Sequence, residues 1–472
     1  MTIAPKLTII WPKTGKISSM IRFLPKQQKN PEEKRTIFVV FSDAYQELTL
    51  IRTGLLDDLR AKFETILIVP SQLVKKHIFA YFGYTKINIF VFQDISTSLM
   101  QKIIDALIAR KYAKYAGPCR RRRWEEYRAP SNLLKRIRGM VIHVLARILP
   151  ESILLFIQNH LLSDVFLDAM FKRYKPVLTI LSWGAAYDPC PKVVRSAKKF
   201  GSKTISVDAS WDCMDELSVI PKVDRLLVWN EAMKKEAIVR HRYDPRRVSV
   251  VGPLRCDFYR RPDFLIDRDT FFQKHRLYRD RKLITLAVNR GDSEIYSNVL
   301  RALVQADEKK RFVHPIQLIL RLAPWSNPDD FYDIGKHPLV LIETSYSFDK
   351  DTLVSKEEIS DTAGLLQHTD VLVSVLSTLI LESVYFNTPN ISLLFPEFKA
   401  LYQRDFITPL FEMGGVTFVD DIPALLHAVN RYLSNPHADE KGRKAILKDL
   451  CYNGDGKVKA RVLSEVNQLI KM

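Results

Sequence analysis

The chain has few cysteines, few glycines and no long apolar run. Its five cysteines are scattered along the sequence, at Cys119, Cys190, Cys213, Cys256 and Cys451. This scatter argues against a structural zinc site and fits a reducing compartment. No stretch reaches the ~20 uninterrupted apolar residues of a membrane-spanning helix, and prolines and lysines interrupt the apolar start, which makes it a poor signal peptide. We therefore expect a cytoplasmic protein that touches a membrane only peripherally, at its inner face.

Acidic residues are also fewer than basic ones. The 53 Asp and Glu stand against 72 Lys and Arg, which gives a net charge of +19. Such a balance favours an anionic partner, namely nucleic acid, a membrane face or a phosphorylated substrate, without choosing among them. The length of 472 residues exceeds one ordinary core and indicates two or three domains.

Short apolar runs alternate with helical patterns along most of the chain. The runs that predict strands are 36–42, 65–70, 87–92, 177–182, 203–208, 225–230, 248–252, 283–289, 316–322, 339–343, 370–375, 390–395 and 416–420. Each is apolar on both faces, as parallel strands covered by helices must be. Helical patterns between many of them predict strand–helix–strand units, and hence an α/β protein with doubly wound domains.

The polar, proline-punctuated stretch 252–282 predicts the break between two such domains. We assign residues 1–33 to an N-terminal extension, 34–260 to the first domain and 261–472 to the second, with its terminal helices. A doubly wound sheet binds ligands beyond the carboxyl ends of its strands. Two domains joined by one linker are expected to face each other across a cleft, so functional residues should follow strands.

A helical insertion at 112–176 departs from the alternation in the first domain. It contains the basic run Arg120–Arg123, followed by helices interrupted at Pro150 that are strongly apolar on one side. A basic cluster beside an amphipathic helix is typical of docking on anionic lipid. The alternative is a helical insertion packed on the first domain, with a solvated basic run.

A hydroxyl pair and one carboxylate follow the apolar run 370–375. Ser377 and Thr378 stand at the predicted start of a helix, where free N–H groups suit phosphate oxygens, and Glu382 lies on the face of Thr378 one turn later. Asn387 is suited to a left-handed helix end, and Pro389 stops the helix. A phosphate at the helix tip and a ribose along it would fit this pattern, whereas the alternative is a helix cap with a solvated glutamate.

This stretch resembles the donor-nucleotide motif of GT-B glycosyltransferases, which have two Rossmann-like domains. It is closest in style to bacterial surface-carbohydrate and CDP-glycerol glycerophosphotransferase-like enzymes. Ser377, Thr378 and Glu382 match that motif, and "NTP" at 387–389 replaces its Gly-x-Pro. The block 210–259 resembles the same group, with Ser-Trp-Asp at 210–212 and "DRLLVWNE" at 224–231. The resemblance covers roughly residues 175 to 435.

Two departures from the family pattern concern phosphate and base recognition. Related enzymes carry Arg-x-His-Pro, whereas "RLAP" at 321–324 keeps Arg321 but has Ala323 in place of the histidine. The early glycine-rich loop is absent, since the first glycine after the first predicted strand is Gly54. With 16 glycines overall, the chain does not rely on a flexible phosphate-wrapping loop.

The resemblance implies a transfer reaction, which needs an acceptor base and groups for the departing phosphate. Asp212 is the candidate base, with a turn-capping role as the alternative, and Asp188 is the runner-up or an acceptor ligand. Arg321 and Arg290 are candidates to pair with the diphosphate. Histidines are few and none recurs at metal-ligand spacing, so we expect no metal and no cofactor beyond the donor.

The function favoured by the sequence is a glycosyltransferase, or a relative that moves a phosphopolyol. The expected partners are a nucleotide-sugar donor, a surface polysaccharide or lipid-linked glycan acceptor, and an anionic membrane surface, but no nucleic acid. A nucleotide-sugar 2-epimerase of the same fold is one alternative. A basic nucleic-acid-binding protein is another, although Trp124 alone beside the arginine run is no stacking platform.

Overall fold

The computed structural model of the protein describes residues 9–10, 34–41, 47–70, 88–92, 99–112, 133–162, 164–182, 190–216, 221–288, 293–323, 326–344 and 354–471. The described residues divide into two compact units. Unit 1 contains the described residues up to Arg255 together with Val458–Lys471, and unit 2 contains those from Cys256 to Lys457. The division therefore follows Arg255, where the sequence placed it after residue 260.

Unit 1 is built on an eight-stranded sheet in which every strand pair is parallel. Its strands are β1 (Ile9–Ile10), β2 (Thr36–Val40), β3 (Glu64–Pro70), β4 (Asn88–Phe92), β5 (Leu178–Ser182), β6 (Lys203–Val207), β7 (Arg225–Val228) and β8 (Val248–Val250). The spatial order is β1-β4-β3-β2-β5-β6-β7-β8. The chain thus builds outward from β2 to one side, then crosses to β5 and builds to the other.

Most helices of unit 1 lie between these strands in the sequence, and the last one follows unit 2. The α-helices are Leu55–Lys62, Leu99–Tyr112, Leu133–Ile148, Glu151–Phe156, Val165–Tyr174, Cys190–Lys199, Cys213–Glu216, Glu231–Val239 and Val458–Lys471, with π-helical turns at Glu47–Arg52 and Ile157–Leu161 and a 3-10 turn at Pro245–Arg247. The interruption expected at Pro150 is confirmed, because Pro150 separates two helices of the insertion. Asp164 caps the helix Val165–Tyr174 by accepting from Leu167 N.

Unit 2 contains a six-stranded sheet that is also parallel throughout. Its strands are β9 (Lys282–Ala287), β10 (Ile316–Leu322), β11 (Val340–Thr344), β12 (Val371–Ser374), β13 (Asn390–Leu393) and β14 (Thr417–Val419). The spatial order is β11-β10-β9-β12-β13-β14. The chain starts in the middle at β9, builds to β11, then crosses to β12 and builds to β14, which is a doubly wound order.

The helices of unit 2 lie before, between and after its strands. The α-helices are Arg268–Lys274, Ser293–Glu308, Tyr332–Gly335, Lys356–His368, Leu379–Ser383, Thr408–Met413, Ile422–Ser434 and Glu440–Asp449, and 3-10 turns include Pro262–Phe264, Pro328–Phe331, Val384–Phe386, Pro396–Tyr402, Asp405–Ile407 and Tyr452–Gly454. The 3-10 segment Leu254–Arg260 crosses the division between the units. Ser355 and Glu358 form a capping box that starts the helix Lys356–His368.

The predicted α/β class with two doubly wound sheets is confirmed. Each of the thirteen apolar runs forms a strand whose ends differ from the prediction by two residues or fewer. Most of their described side chains are buried, and in β2 every residue is buried. Apolar runs of this kind specify parallel strands because helices cover both faces of the sheet.

The structure corrects the predicted domain limits at both ends of the chain. Ile9 and Ile10, in the predicted N-terminal extension, pair with Ile89 and Phe90 of β4 and so belong to the sheet of unit 1. The helix Val458–Lys471, predicted in the second domain, belongs to unit 1. Its buried residues recur at helical spacing, and Arg461 Nε donates to the carbonyl of Val251 at 2.7 Å, which ties the helix to the end of β8.

Candidate functional site

The sheet of unit 2 changes direction between β9 and β12. These two strands are parallel neighbours, with Leu286 opposite Val373 and Ala287 opposite Ser374 at their carboxyl ends. The connections that leave them run to opposite sides of the sheet, since β10 lies beyond β9 and β13 lies beyond β12. Such a switch point opens a crevice in which doubly wound proteins bind ligands. The candidate site of unit 2 is therefore this carboxyl edge.

Ser377 and Thr378 lie at this edge, a few residues beyond the end of β12. Both side chains are half-buried, and Ser377 Oγ accepts from Leu379 N at 3.3 Å. The carbonyl of Thr378 accepts from the N–H groups of Leu381 and Glu382, so the helix begins here as predicted. The helix is short: five α-helical residues, Leu379–Ser383, pass into the 3-10 turn Val384–Phe386.

Glu382 is a buried carboxylate with a defined partner. Only 6% of the residue is exposed, and its Oε2 accepts a hydrogen bond from the Tyr259 hydroxyl. The Tyr259 ring packs on Tyr385 and Phe386, each at a centroid distance of 5.5 Å. Burial raises the pKa of the Cys451 thiol, and the nearby Glu382 charge raises it further. Glu382 is therefore not a solvated surface glutamate, and its ribose-binding role stays a prediction.

The end of this helical segment has the backbone that the sequence predicted. Asn387 adopts the left-handed conformation, with φ 58° and ψ 26°, directly after the 3-10 turn. Its side-chain oxygen accepts from Arg443 Nε at 2.9 Å. The predicted left-handed end at Asn387 is confirmed. The asparagine also accepts from the buried guanidinium of Arg443, a hydrogen bond that a glycine at this position could not make.

Arg321 lies near the carboxyl end of β10, which is the neighbour of β9. Its guanidinium is buried and donates to Glu343 Oε2 at 2.9 Å, to the carbonyl of Thr344 at 2.8 Å and to Thr362 Oγ1 at 2.8 Å. These bonds hold Arg321 against β11 and the helix Lys356–His368. Its role as a diphosphate ligand stays a prediction, and any phosphate would share the guanidinium with this carboxylate.

Asp212 follows β6 in unit 1 and directly precedes the helix Cys213–Glu216. Ser210 Oγ donates to Asp212 Oδ1 at 2.5 Å. Burial raises the pKa of the Cys213 thiol well above its usual value, and the charges of Asp208 and Asp212 raise it further. Two carboxyl groups therefore lie near this thiol, and both the base and the capping role of Asp212 stay predictions.

Asp208 is a candidate residue that the sequence reasoning missed. It is buried directly after β6, its N–H donates to the carbonyl of Leu227, and its own carbonyl accepts from Trp229 Nε1 at 2.9 Å. The sequence could have indicated Asp208, because it ends the apolar run 203–208, four residues before Asp212. A buried carboxylate at the carboxyl edge of a parallel sheet has the position of a functional residue.

Several predicted residues lie outside the described part of the chain. These are Asp188, Arg290 and the run Arg120–Arg123. Among the described residues, no group of three or more His, Cys, Asp or Glu side chains is placed to hold a metal ion. In the same residues no single helix has the length and apolar character to cross a membrane, although the bent pair Ile137–Ile148 and Glu151–Leu161 meets the test when its two helices are taken together.

Solved structures with the same fold cover nearly the whole chain. UDP-GlcNAc 2-epimerase from Neisseria meningitidis, bound to UDP-GlcNAc, is 10% identical with a TM-score of 0.54, covering 92% of this chain and 100% of that one. The S. aureus MnaA–UDP co-structure is 12% identical with a TM-score of 0.53, covering 93% and 97%. A glycosyltransferase from Rickettsia africae is 10% identical with a TM-score of 0.52, covering 93% and 99%.

Sequence comparison adds no closer relative. No family model matches the chain, and no curated protein sequence matches it. The structural likeness, at identities near 10%, establishes the fold. The chain thus has the GT-B fold of glycosyltransferases and 2-epimerases, with two Rossmann-like units, as the resemblance in its sequence implied.

Proposed function

We propose that the protein is a glycosyltransferase that binds a nucleotide-activated donor at the carboxyl edge of unit 2. The observation that carries this proposal is the switch point between β9 and β12, with Ser377 and Thr378 a few residues beyond the end of β12. The hydroxyl groups of Ser377 and Thr378 supply donors that a phosphate accepts from. The neighbours bound to UDP and UDP-GlcNAc support a nucleotide as the ligand class.

The remaining residues receive roles within this proposal. Glu382 accepts from the ribose hydroxyls, and Arg290 and Arg321 balance the charge of the diphosphate. The acceptor, a surface polysaccharide or lipid-linked glycan, binds unit 1, where Asp212 or Asp188 removes its proton. Hydroxyl and guanidinium groups stabilise the departing phosphate without a metal ion.

The experiment that tests donor binding is thermal unfolding of the full chain with a panel of nucleotides and nucleotide sugars. A ligand that binds only the folded state stabilises it by about 2.7 kcal/mol when its concentration is 100 times its Kd. The nucleotide with the preferred base should therefore raise Tm more than the others. Thr378→Ala should weaken the affinity for that nucleotide about 5- to 150-fold, because a hydrogen bond to a charged group is lost. Affinity is measured by calorimetric titration.

The matched control is Ser434→Ala, which removes an exposed hydroxyl that donates to the carbonyl of Asn430 at 2.8 Å. This variant should bind the nucleotide as the parent does. Glu382→Gln keeps the shape of the side chain and an acceptor for Tyr259, and it should also weaken binding. Parental affinity in both Thr378→Ala and Glu382→Gln would exclude this edge as the donor site.

A 2-epimerase is the second candidate, favoured by the structural likeness to two proteins that bind UDP or UDP-GlcNAc. The two functions differ in their products. An epimerase converts UDP-GlcNAc into its C2 epimer without an acceptor, whereas a transferase releases the nucleotide when an acceptor is present. Proton NMR of UDP-GlcNAc incubated with the protein, with and without glycan acceptors, distinguishes them.

A further inference from the structure

The helix Leu133–Ile148 carries an apolar stripe on its exposed side. Its exposed apolar residues are Ile137, Met140, Val141, Val144, Leu145 and Ile148, which are 37% to 69% exposed. Their spacing of three and four residues places them on one face of the helix. A soluble surface rarely presents such a continuous apolar row unless another surface covers it.

The opposite face of the same helix is packed. Ile142, Ala146 and Leu149 belong to the cluster formed with the buried residues of the helix Leu99–Tyr112. His143 Nδ1 accepts from Arg110 Nε at 2.9 Å, which fixes the rotation of one helix on the other. The apolar stripe is therefore held outward by the packing of its own helix.

The stripe continues after the break at Pro150. Ile153, Phe156 and Leu161 are exposed on the second segment, while Leu154 and Leu162 are buried in the same cluster. The two segments, Ile137–Ile148 and Glu151–Leu161, are bent by 107°. We call residues 137–161 the apolar hairpin.

The apolar hairpin carries two arginines against one acidic residue. Arg138 and Arg147 are exposed, and Glu151 is the only acidic residue between positions 137 and 161. Glu151 is already engaged, because it accepts from Tyr112 Oη at 2.9 Å and from Arg242 Nη1 at 2.6 Å. The run Arg120–Arg123 precedes the hairpin in the sequence. An apolar row among arginines complements an anionic, apolar partner.

We propose that the apolar hairpin docks on the surface of an anionic lipid bilayer. Its apolar side chains enter the boundary between headgroups and acyl chains, and its arginines contact lipid phosphates, the arrangement of an interfacial amphipathic helix. A second copy of the chain would instead bring like charges together at the same face. This docking is independent of the proposed donor site, so each can fail without the other.

The test is co-sedimentation of the full chain with vesicles of phosphatidylcholine, and with vesicles of an equal mixture of phosphatidylcholine and phosphatidylglycerol. The parent should bind the mixed vesicles and not the neutral ones. Val144→Ser with Ile148→Ser should lower the partition coefficient about tenfold or more, because two apolar contacts are lost. Both side chains are exposed, so the fold should tolerate the change, which circular dichroism checks.

The matched control is Val239→Ser with Val313→Ser, which changes side chains that are 58% and 53% exposed outside the hairpin. This control should partition as the parent does. Replacing Arg120–Arg123 by glutamine should weaken binding most at low salt, because exposed charges are screened at higher salt.

Three results would overturn the proposal. One is a parent that binds neither kind of vesicle, and another is equal partitioning of the Val144→Ser, Ile148→Ser variant and its control. The third is a lipid-free dimer in sedimentation velocity that the same variant abolishes, since it would identify a second copy of the chain as the occupant.

Discussion

Arg443 Nε donates to Oδ1 of Asn387 at 2.9 Å, across 56 positions of sequence. The same guanidinium donates to the carbonyls of Ala438 at 2.6 Å and Pro436 at 2.9 Å. Asn387 stands in the left-handed conformation where a glycine is the usual residue. The asparagine at this position thus both ends the helical segment that begins at Thr378 and holds a buried arginine.

We expect Asn387→Gly to destabilise the protein although glycine suits the backbone. Glycine removes the strain of a left-handed side chain, but it also removes the acceptor of a buried charged donor, a loss of about 1–3 kcal/mol. The measurement is the denaturation midpoint in urea. Asn387→Asp keeps both the oxygen and the tolerance for this conformation, so it should stay near the parent. A glycine variant as stable as the parent would contradict this prediction, because the Arg443 bond would then contribute no more than the relief of backbone strain.

Tyr259→Phe isolates the bond that positions Glu382. The change removes one hydroxyl and leaves a buried carboxylate without that donor, so the free energy of unfolding should fall by about 1.5–3 kcal/mol. Chemical denaturation measures the loss. Tyr332→Phe removes the hydroxyl of an exposed tyrosine and should change stability by less than about 0.5 kcal/mol. Equal stabilities of the two variants would contradict a strong bond between Tyr259 and Glu382.

The strands were predictable because each is an apolar run on its own. Ile9 and Ile10 were missed as a strand because two residues between prolines and lysines form no recognisable run. Spacing also predicts the buried stripe of the helix Val458–Lys471, but spacing does not say which sheet covers that stripe. Membership of unit 1 rests on long-range contacts such as the one from Arg461 to Val251.

The candidate site was predictable in its position and not in its contacts. Ser377, Thr378 and Glu382 were found because strand, hydroxyls and carboxylate follow one another locally. The partner of Glu382 is Tyr259, 123 positions earlier, in a stretch with no pattern that links it to the helix. The contacts of Arg321 were not predictable either. Its partner Glu343 lies on another strand, so the sequence around Arg321 does not show that the guanidinium is already paired.

His275 contributes stability that depends on pH. Burial alone lowers its pKa, but the carboxylates of Asp361 and Glu343 outweigh burial and raise the pKa to about 9 from 6.5. Its Nδ1 lies 3.0 Å from Glu343 Oε1, and Lys274 and Arg321 neutralise the other sides of these carboxylates. Because the folded-state pKa is raised, this stabilisation is complete below pH 6.5 and is lost as pH rises through about 9.

We expect His275→Gln to flatten the decline of stability between pH 6.5 and 9. At pH 6 the parent should exceed the variant by about 1–2 kcal/mol, a value reduced from the full shift because the network remains partly hydrated. Urea denaturation at several pH values provides the comparison. His314→Gln replaces an exposed histidine outside this network and serves as the control. Parallel profiles for parent and His275→Gln would mean that the pKa of His275 is the same in the folded and unfolded protein.

Asp212→Asn tests the acceptor base in unit 1. The substitution keeps the size of the side chain and its acceptor for Ser210 while removing its basicity. Loss of a general base lowers turnover by about 10²- to 10⁴-fold, and donor affinity should persist because the donor is proposed to bind unit 2. Turnover, nucleotide affinity and Tm are measured on the same preparation.

Two further variants make the result for Asp212 specific. Asp244→Asn changes an aspartate that caps the turn Pro245–Arg247, so it should leave turnover unchanged. Asp208→Asn changes the buried carboxyl group that, like the candidate base, follows the carboxyl end of β6. If Asp208→Asn abolishes turnover with an unchanged Tm while Asp212→Asn retains it, the base is Asp208. A large fall in Tm for Asp212→Asn, with turnover preserved at low temperature, would instead assign Asp212 to capping the helix Cys213–Glu216, because a lost cap costs about 0.5–2 kcal/mol without touching the chemistry.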